Sequence, residues 1–264
     1  MTGKTAMHPA IFADLHNHTR FSDGDYTPEE LICLARKSDI PVIGITDHDT
    51  LAGLPEALAA GEKHKVKVIP GVEVSVRFKR PDFIGTLHLL CYFSAHQFSD
   101  PIFVNAFNRI LAQGRGEMLV RARINEINAV FGPDGSQAML NREMAFEDIA
   151  GLSDNATRRH FALALEKSFD IRDKEIINRI IGNDSPAYLP SGVVLSSLSG
   201  LLADYDMVVS LAHPAAGSFP GEGHYREVLP PVETVEALLP EFLDCGMNAI
   251  EVYYPGHTPA HQAL

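Results

Sequence analysis

Two histidines separated by a single residue, His16 and His18, fall at the end of the apolar run IFADLH (11–16). Residues two apart in an extended segment face the same side, so both imidazoles can point at one metal ion. Asp23 follows in FSDGDY, where Gly24 allows a turn that can bring a carboxylate back over the strand end. Asp47, His48 and Asp49 close a second apolar run, PVIGIT (41–46). Glu73 in PGVEVS, His88 in TLHLLCY and His213 in SLAHP repeat the pattern. A Glu or His buried in an apolar strand without a partner costs several kcal/mol. A lone turn aspartate or a satisfied core histidine would each be ordinary, but nearly every predicted strand delivers an ionisable group. Mixed imidazole and carboxylate donors suit zinc, manganese or iron. More than four such ligands imply more than one ion. Two ions about 3.5–4 Å apart can polarise a phosphoryl oxygen, generate hydroxide and stabilise a leaving oxygen.

These groups need a scaffold that gathers strand ends. The runs 11–16, 41–46, 66–76, 86–93, 207–214 and 248–254 read as strands. Between the first two, Thr27, Pro28 and Glu30 give a helix start with a capping box. LPEALAAGEKH reads as a second helix, and PVETVEALLPEFLDCG as a later one closed by Gly246. RFKRPD reads as a hairpin loop. The stretch 101–200 has helical periodicity and reads as an inserted, mostly helical subdomain between barrel segments 1–100 and 201–264. Strands alternating with helices favour a parallel sheet or barrel with its site at the carboxyl ends of the strands.

Composition narrows the function. A formal net charge of −12, with no run of Lys and Arg, argues against a long nucleic-acid groove. It does not argue against a phosphorylated substrate, because bound cations reverse the local field. No apolar run is long enough for a membrane span, and no secretory leader is read. Three widely spaced cysteines fit free thiols in a reducing cytoplasm.

The segments DLHNHTRFSDG, GITDHDT, PGVEVS, LHLLCYF, ATRRHFALAL, SPAYLP, VVSLAHP and AIEVYYPGH resemble, in order and spacing, the PHP (polymerase and histidinol phosphatase) superfamily of metal-dependent phosphoesterases. The likeness is nearest to its bacterial branch with a helical insertion, which includes nucleotide 3′,5′-bisphosphate phosphatases and short-RNA 5′ exonucleases. The resemblance implies an α/β fold, a seven-stranded, TIM-like distorted barrel, and two or three divalent ions (Mn, Zn or Fe). It implies His16, His18, Asp23, His48, Glu73, His88, His160 and His213 as metal ligands, with Glu73 bridging two ions. It implies Arg158 as a substrate-phosphate ligand. His257, just past the last predicted strand, reads as a substrate contact or proton donor, or equally as a solvated loop residue. Asp47 reads as a catalytic-site carboxylate acting, like Asp49, by orienting ligands. The expected reaction is hydrolysis of a phosphate mono- or diester, releasing inorganic phosphate from a small phosphorylated substrate such as a nucleotide or short RNA end. The family pattern continues into a last strand with an Asp-x-His motif, and the sequence given reaches HQAL before it. A metal-dependent amidohydrolase, and a catalytically incomplete barrel that only binds a ligand, are the competing expectations.

Overall fold

The computed structural model describes residues 12–150, 158–220 and 229–263, apart from the side chains of Arg158 and Arg159. Among the described residues seven strands form one sheet: β1 (Ala13–Asp14), β2 (Val42–Ile45), β3 (Lys67–Lys79), β4 (Ile84–Tyr92), β5 (Val193–Val194), β6 (Val208–Leu211) and β7 (Ala249–Ile250). Their order is β1-β2-β3-β4-β6-β7, with β5 beside the far end of β3. The β1–β2, β2–β3, β3–β5 and β6–β7 pairs are parallel. β4 is antiparallel to both β3 and β6. The antiparallel β3–β4 pair is the hairpin expected around RFKRPD. A parallel pair needs a crossover of a dozen residues or more, and the connection between β3 and β4 is only 80–83, a hairpin closed by Arg80 N–H donating to Phe83 O at 2.8 Å.

The sheet is curled and open, as expected of a distorted barrel lacking a closing strand. Among the described residues β1 and β7 are its two ends and do not pair with each other. A groove of about 960 Å³ lies between these ends, walled by Ala13, Leu15, Leu90, Tyr92 and Ile250.

Helices cover the outer face. α1 (Pro28–Lys37) starts at Thr27, whose hydroxyl accepts from Glu30 N–H while the Glu30 carboxylate accepts from Thr27 N–H, as the sequence predicts. α2 (Leu54–His64) packs beside α1, and α3 (Ala95–Phe98) is a single turn. α4 (Pro101–Leu111) buries Phe103, Phe107 and Leu111 completely in the same core as β2, β3 and β4. A separate hydrophobic cluster starts with α5 (Gly116–Phe131), continues through α6 (Glu147–Ala150), and includes α7 (Arg158–Ser168) and α8 (Lys174–Ile181). After α9 (Ser199–Asp204), α10 (Val232–Cys245) ends at Gly246, whose φ of 113° is the left-handed cap that glycine adopts without steric cost.

Candidate metal centre

The histidines and carboxylates converge because register places them on one face. His48 forms a parallel bridge with Glu73, extending the β2–β3 pairing past the end of β2. On β3 and β4, Ser75 is opposite His88, so Glu73 and His88 are diagonal neighbours on one face of the hairpin. His213 follows β6 by two residues, and Ala212 N–H donates to His88 O at 3.0 Å, bringing it beside His88. Its φ of 30° is a strained value for a residue with a side chain, the kind of local cost that functional sites carry. Glu73 and His88 sit inside their strands rather than at carboxyl ends, because the hairpin runs on past the site and forms a wall.

Glu73 is the centre. Its side chain is 1% exposed. His16 Nε2 and His18 Nε2 both lie 3.0 Å from Glu73 Oε2, and His48 Nδ1 lies 3.4 Å from the same oxygen. His213 Nε2 and His88 Nδ1 lie 3.1 and 3.3 Å from Oε1. Asp23 stands at the rim, 3.6 Å from His18 Nδ1 and 3.8 Å from His48 Nε2. The donor atoms of His16–His18–Glu73, His18–Asp23–His48 and His48–Glu73–His88 all fall close enough to share an ion.

Burial disfavours ionisation of Glu73, but the hydrogen bonds from His16, His18 and His213 outweigh it and hold the carboxyl well below its usual range. Burial likewise disfavours a charged His16, yet bonds to Glu251 and Glu73 push it up to about 10. Burial, with only partial compensation from Glu73, drives His88 down to about 3, so it stays neutral. Without a metal, the raised pKa keeps a proton on His16 beside Glu73 and Glu251.

The donor set fits metal ions. Imidazole nitrogens approach each other with no protein group between them: His16 Nε2 and His18 Nε2 at 3.2 Å, His88 Nδ1 and His213 Nε2 at 3.4 Å. A carboxylate offers about four lone-pair directions, and five imidazoles crowd this one. His18 Nδ1 is buried without a hydrogen-bond partner. The five nitrogens divide between the two carboxylate oxygens, an arrangement that can hold one cation on each side of Glu73.

The remaining expected residues take different places. Asp47 is buried, and its carboxylate accepts from Thr19 N–H (2.6 Å), Thr19 hydroxyl (2.7 Å) and Ser22 hydroxyl (2.7 Å), so it anchors the loop that carries Asp23. Asp49 accepts from Ser75 N–H at 2.8 Å, and burial raises its pKa despite that bond. Neither carboxylate is bonded to a histidine of the centre. On the same loop, a Cβ at Gly24 would lie 2.2 Å from His18 O, so the turn closes only with glycine. His160 lies in the first turn of α7 and is not among the imidazoles around Glu73. The Arg158 side chain lies outside the described residues. His257 is buried one ring away from the centre: Tyr254 stands 5.2 Å from the His213 ring and 5.8 Å from that of His257. Its Nδ1–H donates to Val252 O at 2.8 Å, and its Nε2 is buried without a hydrogen-bond partner.

One residue was missed from sequence. Glu251, just past β7, accepts from His16 Nδ1–H at 2.9 Å and from His213 N–H at 2.7 Å. It fixes the His16 ring so that Nε2 faces Glu73, the usual carboxylate–histidine support of a metal ligand. Its signal was the same as its neighbours': a carboxylate ending the run NAI.

An α/β half-barrel whose strands converge histidines on a buried glutamate defines a class of metal-dependent hydrolases. Residues 14–117 match the PHP domain family. The chain is 28% identical over 251 residues to the 3′,5′-nucleoside bisphosphate phosphatase of Chromobacterium violaceum, covering 93% of this chain and 78% of that protein. It is 36% identical over 97 residues to the 5′-3′ exoribonuclease Rnm of Escherichia coli, a match spanning 33% of each chain. Among solved structures, an amidohydrolase from Chromobacterium violaceum with bound sulfate and no metal is 25% identical at a TM-score of 0.56, covering 96% of this chain and 81% of that one. Residues 14–117 thus carry a PHP domain, and the site is that of a PHP-fold metal-dependent hydrolase acting on phosphate esters.

Proposed function

We propose that the protein hydrolyses a phosphate mono- or diester of a small nucleotide, or of the end of a short oligonucleotide, releasing inorganic phosphate from a monoester or a phosphomonoester from a diester. The observation that carries this reading is Glu73 with five imidazole nitrogens divided between its two oxygens. His16, His18, Asp23, His48, Glu73, His88 and His213 would hold two or three divalent ions, with manganese, zinc and iron all suited to the mixed donors. Such ions, when bound, neutralise the phosphoryl oxygens and acidify water. The likeness to a nucleoside bisphosphate phosphatase over most of the chain supports the nucleotide class.

The protein's own groups do the positioning. Glu251 orients His16, and Asp47 holds the Asp23 loop against the centre. In the reaction a water oxygen bonds to phosphorus, the ester P–O bond breaks, and the departing oxygen takes a proton. His257, with its Nε2 unsatisfied one ring from the centre, is the proposed contact or proton donor on the leaving side. Arg158 and His160, at the start of α7, are the proposed phosphate clamp and additional ligand brought by a helical insertion at 101–200. The unpaired cysteines fit a reducing cytoplasm, and among the described residues no helix is long and apolar enough to cross a membrane.

The test is phosphate release from nucleotide, sugar and oligonucleotide phosphate esters by the manganese-loaded protein, run beside a panel of amides. Hydrolysis of the nucleotide esters, abolished in Glu73→Gln, is the expected outcome. Amide hydrolysis without phosphate release would favour the amidohydrolase reading. Metal uptake without either activity would mark a binding protein.

A further inference from the structure

One tyrosine crosses the inside of the curled sheet. Tyr92, the last residue of β4, is opposite Gly71 on β3, as Leu90 is opposite Glu73 and His88 is opposite Ser75. Residues two apart on a strand share a face, so Tyr92 stands on the same inner face as His88 and Glu73. A Cβ at Gly71 would come within 3.0 Å of Tyr92 Cδ1, so the glycine leaves room for the ring to lean inward. The Tyr92 hydroxyl donates to Leu15 O at 3.1 Å, the carbonyl immediately before His16. β4 and β1 are three places apart in the strand order. On a flat sheet that is about 14 Å, and the bond forms because the sheet curls.

The segment that carries His16 and His18 is held firmly on one side. β1 has two residues and, among the described residues, pairs with β2 alone. Beyond it, Thr46 N–H donates to Asn17 O at 2.9 Å, Asn17 N–H donates to the Thr46 hydroxyl at 3.2 Å, and the Asn17 side-chain amide donates to Gly44 O at 3.3 Å. On the other side lies the groove, where no ladder joins β1 to β7. The hydrogen bonds that hold the segment there are those from Tyr92 to Leu15 O and from His16 Nδ1–H to Glu251. Glu251 fixes the rotation of the His16 ring. Tyr92 fixes the backbone that carries it. Burial and the nearby carboxylates of Glu251 and Glu73 push the Tyr92 phenol up, so it keeps the proton it donates.

We propose that Tyr92 is a positioning residue of the metal centre. Through Leu15 O it sets His16 and His18 for the ion on their side of Glu73, and it leaves the ion on the His88 and His213 side unaffected. The inference rests on the reading of Glu73 as a carboxylate shared by two ions, and it adds a group that touches neither ion.

Tyr92→Phe removes the hydroxyl and keeps the ring. Manganese is withdrawn from the loaded full chain and from this variant with increasing chelator, and anomalous diffraction at each stage shows which ion leaves. In Tyr92→Phe the ion at His16 and His18 leaves at about 10-fold lower chelator, while the ion at His88 and His213 holds as in the wild type. A second arm follows amide hydrogen exchange in the metal-free proteins. Exchange at Asn17 and Thr46 quickens in Tyr92→Phe, and exchange within α10 does not change. Equal weakening of both ions would mark a general structural loss and overturn the assignment, as would no weakening of either. If the wild type binds no manganese at Glu73, the two-ion reading fails. The exchange arm then decides whether Tyr92 ties down the His16 segment, and unchanged exchange would overturn that too.

Discussion

Among the described residues two clusters bring histidine and glutamate together, and only one of these has the form of a metal centre. At Glu73 the carboxylate is almost wholly buried, five imidazoles face it, and among the described residues no Lys or Arg is paired with it. Between α1 and α2, Glu29, Cys33 and His64 also bring their donor atoms together. There the Glu29 side chain is 45% exposed, His64 Nε2 lies 3.1 Å from it, and Lys63 Nζ lies 2.6 Å from the same oxygen. Lys63 already supplies the cation, and water screens the remainder. Residue type alone does not distinguish the two. Burial, the number of converging lone pairs and the absence of a built-in cation do.

The comparison breaks most directly at its centre. Glu73→Gln removes the anion shared by five histidines, so metal content falls and kcat/KM drops at least about 10³-fold. Elemental analysis and initial rates on the same samples check both. If activity survives, the Glu73 cluster is not the site.

Glu251→Gln acts one step further out. The His16 ring loses its orienting carboxylate while the ligand itself remains. Loss of such outer support costs about 10–100-fold in metal affinity or activity, measurable by competition with a chelator. A loss as large as that of Glu73→Gln would make Glu251 a ligand in its own right.

The two loading states also differ in how stability depends on pH. In the metal-free protein the His16 imidazolium, bonded to Glu73 and Glu251, has its pKa raised to about 10 from an ordinary 6.5. A group raised on folding stabilises fully below its unfolded value, and that contribution is lost as pH rises through the folded one. The metal-free melting temperature therefore falls between pH 7 and 10. With metal bound, ligands are deprotonated, so loading weakens instead as pH drops toward 5. Thermal scans of both forms across this range should slope in opposite directions. Parallel curves would mean that the proton on His16 and the metal do not compete.

The smallest effect is expected at the second cluster. Glu29→Gln, His64→Ala and Cys33→Ser leave metal content and activity unchanged within error. A thiolate-to-cobalt charge-transfer band that vanishes in Cys33→Ser would show that this cluster also binds metal and would erase the contrast.

Much of this was legible before any coordinates. His16 and His18 at alternating positions, His48 after a fully apolar strand and His213 before a proline mark strand ends directly, and those ends do converge. The Thr27 and Gly246 caps were readable for the same reason: each is a local rule carried by a few adjacent residues. The parts that escaped depend on pairing between distant segments. The RFKRPD hairpin marks His88 as lying on a reversed strand, but the register that sets Ser75 opposite His88 could not be read from spacing. β5 pairs at only two positions, too few for any periodicity to appear. Glu251 was passed over because one carboxylate within the strand-like run NAIEVYY points to no partner until His16 arrives from the opposite edge of the sheet. Asp47 looked like a histidine partner from its place in TDHD, whereas its oxygens are taken up by Thr19 and Ser22.

Anomalous diffraction from crystals soaked in manganese tests the central claim most directly. Peaks should appear on both sides of the Glu73 carboxylate, one beside His16 and His18 and the other beside His88 and His213, and both should vanish in Glu73→Gln. Peaks confined to the Cys33–His64 surface, or none within bonding distance of Glu73, would contradict it.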